Sequence, residues 1–244
     1  MKNEAMKTLF SYGVLIALVQ LVTACTPADN TNNSADPATE HAQAASGNRG
    51  EALQKTDKNG ALVVAFGDSL FAGYQLGREE GFAPALERGL KADGTVAHVF
   101  NAAVSGDTSA AGLRRLGFVL DGLSRKPDLV IVGFGGNDML RGLSPQETRE
   151  NLTAILDELK RRNIPAMLAG MVAAPNMGSD YAKAFNPIYP DLARTYGVPL
   201  YPFILNGVIG NDALLLPDGI HPNPQGVEQI IGGIAPLVAR ALEN

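Results

Sequence analysis

From residue 61 onward, short apolar runs alternate with longer stretches in which apolar residues have helical spacing. The short runs are continuous rather than alternating, which is typical of parallel strands buried on both faces. Five strands are predicted: Ala61 to Phe66, His98 to Ala102, Leu129 to Phe134, Ala166 to Met171, and a short one near Leu200 to Tyr201. Strands that alternate with helices in this way predict an α/β domain with a mostly parallel sheet.

Two of the predicted helices have clear start signals. Ser144-Pro145-Gln146-Glu147 is a capping box with proline at the first helical position, and it predicts a helix that ends before Pro165. The expected buried face of this helix consists of Leu152, Ile155, Leu156 and Leu159. A final helix is predicted from Asn223-Pro224 toward Leu242. Its expected buried face consists of Ile230, Ile231, Ile234, Leu237 and Val238.

The first 24 residues have the layout of a secretory signal. Lys2 and Lys7 precede an apolar stretch from Leu9 to Val22, which is shorter than the roughly 20 residues that cross a bilayer. The sequence Val22-Thr23-Ala24-Cys25 resembles a bacterial lipobox, and this resemblance implies that Cys25 is lipid-modified and begins the mature protein. The alternatives are an ordinary signal peptide that leaves a free thiol, or a permanent transmembrane helix.

Residues 25–59 are predicted to form the lipid anchor and a flexible tether. Between Thr26 and Asn59 there is one Leu and no Val, Ile, Met or aromatic residue, so little apolar surface is available for burial. His41 in this segment is expected to be solvated and without a role. The lipobox predicts export, and Thr26 rather than Asp after Cys25 favours the periplasmic side of the outer membrane.

Composition narrows the classes of partner. The chain is 45% hydrophobic and 18% charged, which excludes a disordered protein and a coiled coil. A net charge of −5, 6% aromatic residues and no Trp argue against nucleic acid as a partner. With one Cys and three His, a Cys- or His-rich metal site and an intramolecular disulfide are excluded, whereas a carboxylate-only calcium site stays open.

The candidate nucleophile is Ser69, directly after the first predicted strand. The carboxyl ends of strands in an open α/β sheet are where ligands bind, and a serine there needs a neighbouring base to become reactive. His41 lies in the predicted tether and His98 at the start of a strand, which leaves His221 as the base. Asp218, three residues earlier in a loop, is positioned to orient the imidazole. The sequence therefore predicts a Ser, Asp, His triad.

Two further strand ends could supply donors to an oxyanion. The segment after the second strand offers the backbone N–H of Gly106, and the segment after the third offers the side-chain amide of Asn137. Gly133 to Asp138 does not match a dinucleotide-binding fingerprint, because Asp138 stands where that pattern requires glycine. Both segments are therefore interpreted as parts of an acyl-transfer site.

Together these segments resemble the SGNH hydrolase superfamily, also called GDSL esterases, and especially its arylesterase and thioesterase I/lysophospholipase L1-like branch. The resemblance covers roughly Ala61 to Asn244. Its four sequence blocks are Gly67-Asp68-Ser69-Leu70, Ser105-Gly106-Asp107, Gly135-Gly136-Asn137-Asp138 and Asp218-Gly219-Ile220-His221-Pro222. The resemblance implies a three-layer α/β/α sandwich resembling flavodoxin, with an SGNH hydrolase domain over residues 60–244.

The resemblance also implies roles and an activity. Ser69, Asp218 and His221 would form the triad, and the N–H groups of Ser69 and Gly106 with the Asn137 side chain would form the oxyanion hole. The implied enzyme hydrolyses aryl esters, short or medium acyl esters, lysophospholipids or acyl thioesters without a cofactor or a metal. The alternatives are a carbohydrate O-acetyl esterase or acyltransferase, and a lipid-anchored binding module without activity. The sequence does not indicate an oligomeric state.

Several neighbouring polar and aromatic residues have structural interpretations. Asp68 is expected to bond to the backbone of its own turn, and His98 to be packed or at a solvent edge. Capping of the helix that contains Leu113 and Leu116 is expected from Ser105, Asp107 and Thr108. Asp138 is expected to be structural. For three aromatic residues, lining of an acyl pocket and packing on the sheet both stay open: Tyr181, Phe185 and Tyr189.

Overall fold

The computed structural model describes residues 60–243. The predicted signal segment at residues 1–24, the predicted anchor Cys25, the predicted tether with His41, and Asn244 lie outside the described residues.

A five-stranded parallel sheet with the strand order β2-β1-β3-β4-β5 forms the centre of this part of the chain. The strands are β1 (Ala61–Gly67), β2 (Ala97–Asn101), β3 (Leu129–Gly133), β4 (Ala166–Ala169) and β5 (Leu200–Tyr201). The sheet confirms the predicted α/β class, and every strand pair is parallel. From β1 the chain passes first to β2 on one side and then to β3 on the other, so the carboxyl end of β1 lies at the topological switch point.

Strand boundaries agree with the predictions to within two residues. The largest difference is at β4, which ends at Ala169 although the apolar run continues to Met171. The Gly170 N–H donates to the Tyr201 carbonyl at 2.8 Å, but the Gly170 carbonyl accepts from the Ile204 N–H, beyond β5. Because β5 has two residues, the ladder ends there even though the apolar run goes on.

Eight α-helices are present in residues 60–243. They are α1 (Ser69–Ala72), α2 (Phe82–Ala92), α3 (Ser109–Asp121), α4 (Gly136–Leu140), α5 (Pro145–Arg161), α6 (Ser179–Phe185), α7 (Ile188–Tyr196) and α8 (Pro224–Leu242). Helices α2 and α8 pack together, and α5 packs against α3, α6 and α7. These two groups of helices cover the sheet and confirm the three-layer α/β/α architecture.

The two helices with clear start signals form as predicted. Ser144 accepts a hydrogen bond from the Glu147 N–H at 3.2 Å, and the Glu147 side chain bonds back to the Ser144 N–H, which completes the capping box of α5. All four predicted apolar residues of α5 are buried. In α8, Asn223 is the N-cap, and of the five predicted residues Leu237 alone is only partly buried, because it lies at the margin of the buried face. Within residues 60–243, no helix combines the length and the apolar character that a membrane crossing requires.

Candidate active site

Ser69 lies at the start of α1, immediately beyond the carboxyl end of β1. Asp68 is the N-cap of this helix, and its Oδ1 accepts from the Leu70 N–H at 3.1 Å. A Cβ on Gly67 would lie 2.6 Å from the Gly133 carbonyl oxygen, so glycine is required where β1 and β3 come together. The close approach of these two strand ends places Ser69 beside the segment that follows β3.

The loop before α8 is folded so that the side chains of Asp218 and His221 meet. The Leu216 N–H donates to the His221 carbonyl at 2.7 Å, and Gly219 in the turn between them has a φ of 68°, which favours glycine. Asp218 Oδ1 accepts from the backbone N–H groups of Ile220 at 2.9 Å and His221 at 3.0 Å. The local turn thus holds the carboxylate next to the imidazole.

The structure brings together the three residues that the sequence predicts as a triad. Ser69 Oγ lies 2.9 Å from His221 Nε2, and His221 Nδ1 lies 2.7 Å from Asp218 Oδ2. Burial opposes ionisation of Asp218, but the hydrogen bonds from His221 and Ile220 outweigh it and lower the pKa of this carboxyl to about 2. The carboxylate therefore stays charged at neutral pH and can stabilise a protonated imidazole.

The segment after β2 presents Gly106 to the same cavity. The Asp107 N–H donates to the Val104 carbonyl at 3.2 Å and closes a turn, in which Gly106 has a φ of 85°. The Val104 N–H donates to the Gly67 carbonyl at 3.1 Å and ties this turn to the end of β1. Arg141 Nη2 donates to the Gly106 carbonyl at 2.6 Å from the opposite side.

Asn137 lies in the first turn of α4 and lines the cavity with Ser69 and Gly106. Its Nδ2 donates to Asp68 Oδ2 at 3.3 Å. The contact joins residues 69 positions apart, and it follows from the register of β1 and β3, in which Gly67 is paired with Gly133. Asp68 thus bonds to its own turn as predicted. Its second contact, with the predicted oxyanion residue Asn137, was not expected from the sequence.

Asp138 is fully buried and joins three helices beneath the site. It accepts from the Ser109 N–H at 2.8 Å and from the Ser109 hydroxyl at the start of α3, and from Thr148 Oγ1 in α5 at 3.3 Å. Asn151 in α5 donates to Ser109 Oγ at 3.0 Å. These bonds hold α4, and with it Asn137, against α3 and α5.

Of the three residues expected to cap α3, Thr108 does so. Its Oγ1 accepts from the Ala111 N–H at 3.3 Å. The expectation was wrong for the other two, because Asp107 pairs with Arg115 at 2.6 Å and Ser105 lines the cavity.

Arg115 is a structural residue of the site that sequence reasoning missed. Its guanidinium donates to the carbonyls of Gly67, at 3.0 Å, and Ala102, and it lies 4.5 Å from the centre of the Phe66 ring. Together with its bond to Asp107, these contacts connect α3 to the ends of β1 and β2. An arginine on an amphipathic helix normally indicates a solvated face, so the sequence carries no signal for this role.

The question left open for the three aromatic residues is settled in favour of packing. Tyr189 is buried and its hydroxyl donates to the Phe134 carbonyl at 2.7 Å. Phe185 is buried and stacks with Tyr181 at 5.5 Å, and the Tyr181 hydroxyl donates to the Leu143 carbonyl. These side chains support the segment after β3 from beneath and do not line the cavity.

His98 is a partly exposed residue near the amino end of β2. Its Nδ1 lies 3.3 Å from Glu87 Oε2 in α2. This position agrees with the structural interpretation of His98, because the predicted site lies at the opposite edge of the sheet.

The site opens into a cavity of about 600 Å³ with mostly apolar walls. Its apolar lining residues are Leu70, Tyr74, Met139, Leu140, Met171, Val172, Ala173, Ala174, Pro175, Phe203, Leu205, Ile209 and Ile220. The Tyr74 ring lies 4.4 Å from the imidazole of His221, centre to centre. Within the described part of the chain, no group of three or more His, Cys, Asp or Glu side chains is arranged to hold a metal ion.

A parallel α/β sheet with a Ser, His, Asp array at its switch point is characteristic of serine hydrolases. Residues 65–229 match the GDSL-like lipase/acylhydrolase family, and the chain belongs to this family. It is 35% identical to esterase TesA of Pseudomonas aeruginosa, over 72% of this chain and 89% of that protein. It is 40% identical to thioesterase 1/protease 1/lysophospholipase L1 of Escherichia coli, over 66% of this chain and 75% of that protein.

Solved structures give the same assignment. AlinE4, described as an SGNH-hydrolase family esterase, is 48% identical, with a TM-score of 0.65 over 76% of this chain and 98% of that chain. The family resemblance inferred from the four sequence blocks is therefore confirmed.

Proposed function

We propose that the protein is a serine esterase that hydrolyses carboxylic esters through an acyl-enzyme on Ser69. The observation that carries this proposal is the continuous hydrogen-bonded array from Ser69 Oγ through His221 to Asp218, with distances of 2.9 and 2.7 Å. Relatives named esterase, arylesterase and thioesterase/lysophospholipase support the same reaction class. The complete array argues against a binding module without activity.

In the proposed reaction, His221 Nε2 takes the proton from the Ser69 hydroxyl as Oγ attacks the ester carbonyl carbon. Asp218 holds the imidazole and stabilises its positive charge. The oxyanion accepts hydrogen bonds from the N–H groups of Ser69 and Gly106 and from the Asn137 amide. His221 then protonates the leaving alkoxide, phenolate or thiolate as its bond to the carbonyl carbon breaks. In the second half, His221 takes a proton from the water that attacks the acyl-enzyme and returns it to Ser69 Oγ as the bond from Oγ to the acyl carbon breaks.

The cavity supports an apolar acyl group as the part of the substrate that binds beside Ser69. Its walls are mostly aliphatic and thioether side chains, which offer burial but few hydrogen bonds. A sugar hydroxyl would lose its bonds to water in such a cavity, so the apolar lining disfavours a carbohydrate O-acetyl esterase. Aryl esters, short or medium acyl esters, lysophospholipids and acyl thioesters are the substrate classes we propose.

Hydrolysis of a p-nitrophenyl ester series from acetate to palmitate by the full-length protein tests the activity. We expect turnover in the wild type and a loss of at least about 10³-fold in kcat for Ser69→Ala and His221→Ala. Ser124→Ala is the matched control, because Ser124 is exposed in the loop before β3. Full activity in folded Ser69→Ala, or no hydrolysis of any ester by the folded wild type, would refute the proposal.

We further propose that residues 1–24 are a lipoprotein signal peptide and that lipidated Cys25 anchors the enzyme to a membrane. The support is the lipobox-like Val22-Thr23-Ala24-Cys25, and Thr26 favours the outer membrane, facing the periplasm. Each buried CH₂ of an acyl chain contributes about 0.8 kcal/mol, so two or more chains hold a protein at a membrane. In cell fractionation, we expect the wild type in the membrane fraction and Cys25→Ser in the soluble fraction. Equal membrane association of both proteins would refute the anchor.

A further inference from the structure

Asp68 is a buried carboxyl group that the reaction proposed above does not use. It is 3% exposed, and its two oxygens bond to different parts of the site. Oδ1 accepts from the Leu70 N–H at 3.1 Å in the helix that begins with Ser69, and Oδ2 accepts from Asn137 Nδ2 at 3.3 Å. A single side chain therefore connects the segment of the proposed nucleophile with the side chain of the proposed oxyanion donor.

An ionised carboxyl group at this buried position costs free energy of folding. Burial raises the pKa of Asp68 to about 6, and the Asp138 charge acts in the same direction. Hydrogen bonds from the Leu70 N–H and the Asn137 amide, with the charge of His221, offset only part of this effect. Both donors are neutral, and Asn or Ser would cap a helix about as well as Asp. The N-cap alone therefore does not explain a buried acid here.

The contact with Asn137 explains why an acid is used here, because a carboxylate can fix the orientation of the Asn137 amide. An ionised carboxylate only accepts hydrogen bonds, so it pairs with the amide nitrogen and repels the amide oxygen. Because both amide hydrogens are on Nδ2, a bond from one of them to Asp68 leaves the other available to the cavity. If the amide turned by 180°, its oxygen would face Asp68, and an acceptor instead of a donor would meet a developing oxyanion.

We infer that Asp68 is a positioning residue, whose carboxylate selects the orientation in which the Asn137 amide donates to the oxyanion of the reaction. This inference rests on the proposed esterase function. Asp68 also lines the cavity, but its proposed role is to orient the Asn137 amide and not to exchange protons with the substrate.

The primary test is the substitution Asp68→Asn. The asparagine oxygen can still accept from the Leu70 N–H, but its NH₂ group then faces the NH₂ group of Asn137 and no longer fixes its orientation. We expect kcat for p-nitrophenyl butyrate to fall at least about tenfold, toward the 10²- to 10³-fold loss typical of a missing oxyanion donor. KM should change less than about twofold, because the oxyanion forms only in the transition state.

A double-mutant cycle with Asn137→Ala separates positioning from a general structural effect. If Asp68 acts through Asn137, the double variant has the kcat of Asn137→Ala to within about twofold. If Asp68 instead acts on Ser69 or on the short helix, Asp68→Asn lowers kcat by the same factor in both backgrounds, and the inference is wrong.

A second variant and a spectroscopic measurement distinguish a loss of amide orientation from a loss of folding. Asp68→Ser retains an N-cap oxygen but is too short to reach Asn137, so it should lose kcat in the same way. The side-chain amide signals of Asn137, assigned by their loss in Asn137→Ala, should shift in a ¹H–¹⁵N spectrum of Asp68→Asn. Unchanged amide signals or wild-type kcat in both folded variants would overturn the inference. An inactive folded wild type would instead refute the proposed function.

Discussion

The pH dependence of stability gives a quantitative test of the electrostatics around Asp68. The perturbation is Asp68→Asn, which keeps the size of the side chain and its capping oxygen but removes the ionisable group. In the folded protein, burial raises the pKa of Asp68 from 3.8 to about 6, whereas the unfolded chain has the ordinary value. The charged groups that act on Asp68 are His221, which lowers its pKa, and Asp138, which raises it.

The direction of the effect follows from proton linkage. Between about pH 4 and pH 6 the folded state keeps the proton on Asp68 while the unfolded state has lost it, so the contribution of Asp68 to stability falls as pH rises. Above about pH 6 Asp68 is ionised in both states, so its destabilising contribution has reached its full size and no longer changes with pH. A shift from 3.8 to about 6 corresponds to about 3 kcal/mol. Relative to the wild type, Asp68→Asn should therefore gain up to about 3 kcal/mol between pH 4 and pH 8.

Urea unfolding followed by far-UV circular dichroism measures this difference, since the chain has no Trp to report by fluorescence. The quantity of interest is the difference in unfolding free energy between variant and wild type at about pH 4, 6 and 8. Carboxyl groups that do not interact with Asp68 titrate alike in both proteins, so their contributions cancel in this difference. The reasoning would be refuted if this difference were independent of pH, or if the variant lost stability relative to the wild type as pH rises.

Three further predictions concern the support and the size of the site. Tyr189→Phe removes the 2.7 Å bond to the buried Phe134 carbonyl and should lower the unfolding free energy by about 1–3 kcal/mol; no change in urea unfolding would contradict this. Arg115→Lys cannot keep the three contacts at the strand ends and should lower both kcat and Tm, whereas Arg114→Lys, exposed on the same helix, should change neither. Ala173→Trp would fill part of the cavity and should move the chain-length optimum of the p-nitrophenyl series to shorter esters; an unchanged optimum would place the acyl chain elsewhere.

Much of the fold was predictable because its signals are local. Continuous β-branched runs indicated buried parallel strands, and the Ser144 capping box placed the start of α5 to the residue. The residues proposed for the chemistry were also found in the sequence, because strand ends in an α/β sheet meet at one edge and His221 remained as the base by elimination. The strand ends also indicated Gly106 and Asn137 as oxyanion donors, and the resemblance to the SGNH superfamily, whose family match is confirmed, added the N–H of Ser69.

Outside the predicted triad, the contacts between distant segments that hold the site were decided only by the tertiary structure. The bond between Asp68 and Asn137 joins residues 69 positions apart and depends on the register that pairs Gly67 with Gly133, which no local pattern specifies. Arg115 has the sequence signature of a solvated residue until the ends of β1 and β2 surround it. Amphipathic periodicity reports which side of an element is buried, whereas hydrogen-bond partners depend on how the elements are packed. The sequence thus determined which groups are available for chemistry, and the packing of the sheet and helices determined how they are held.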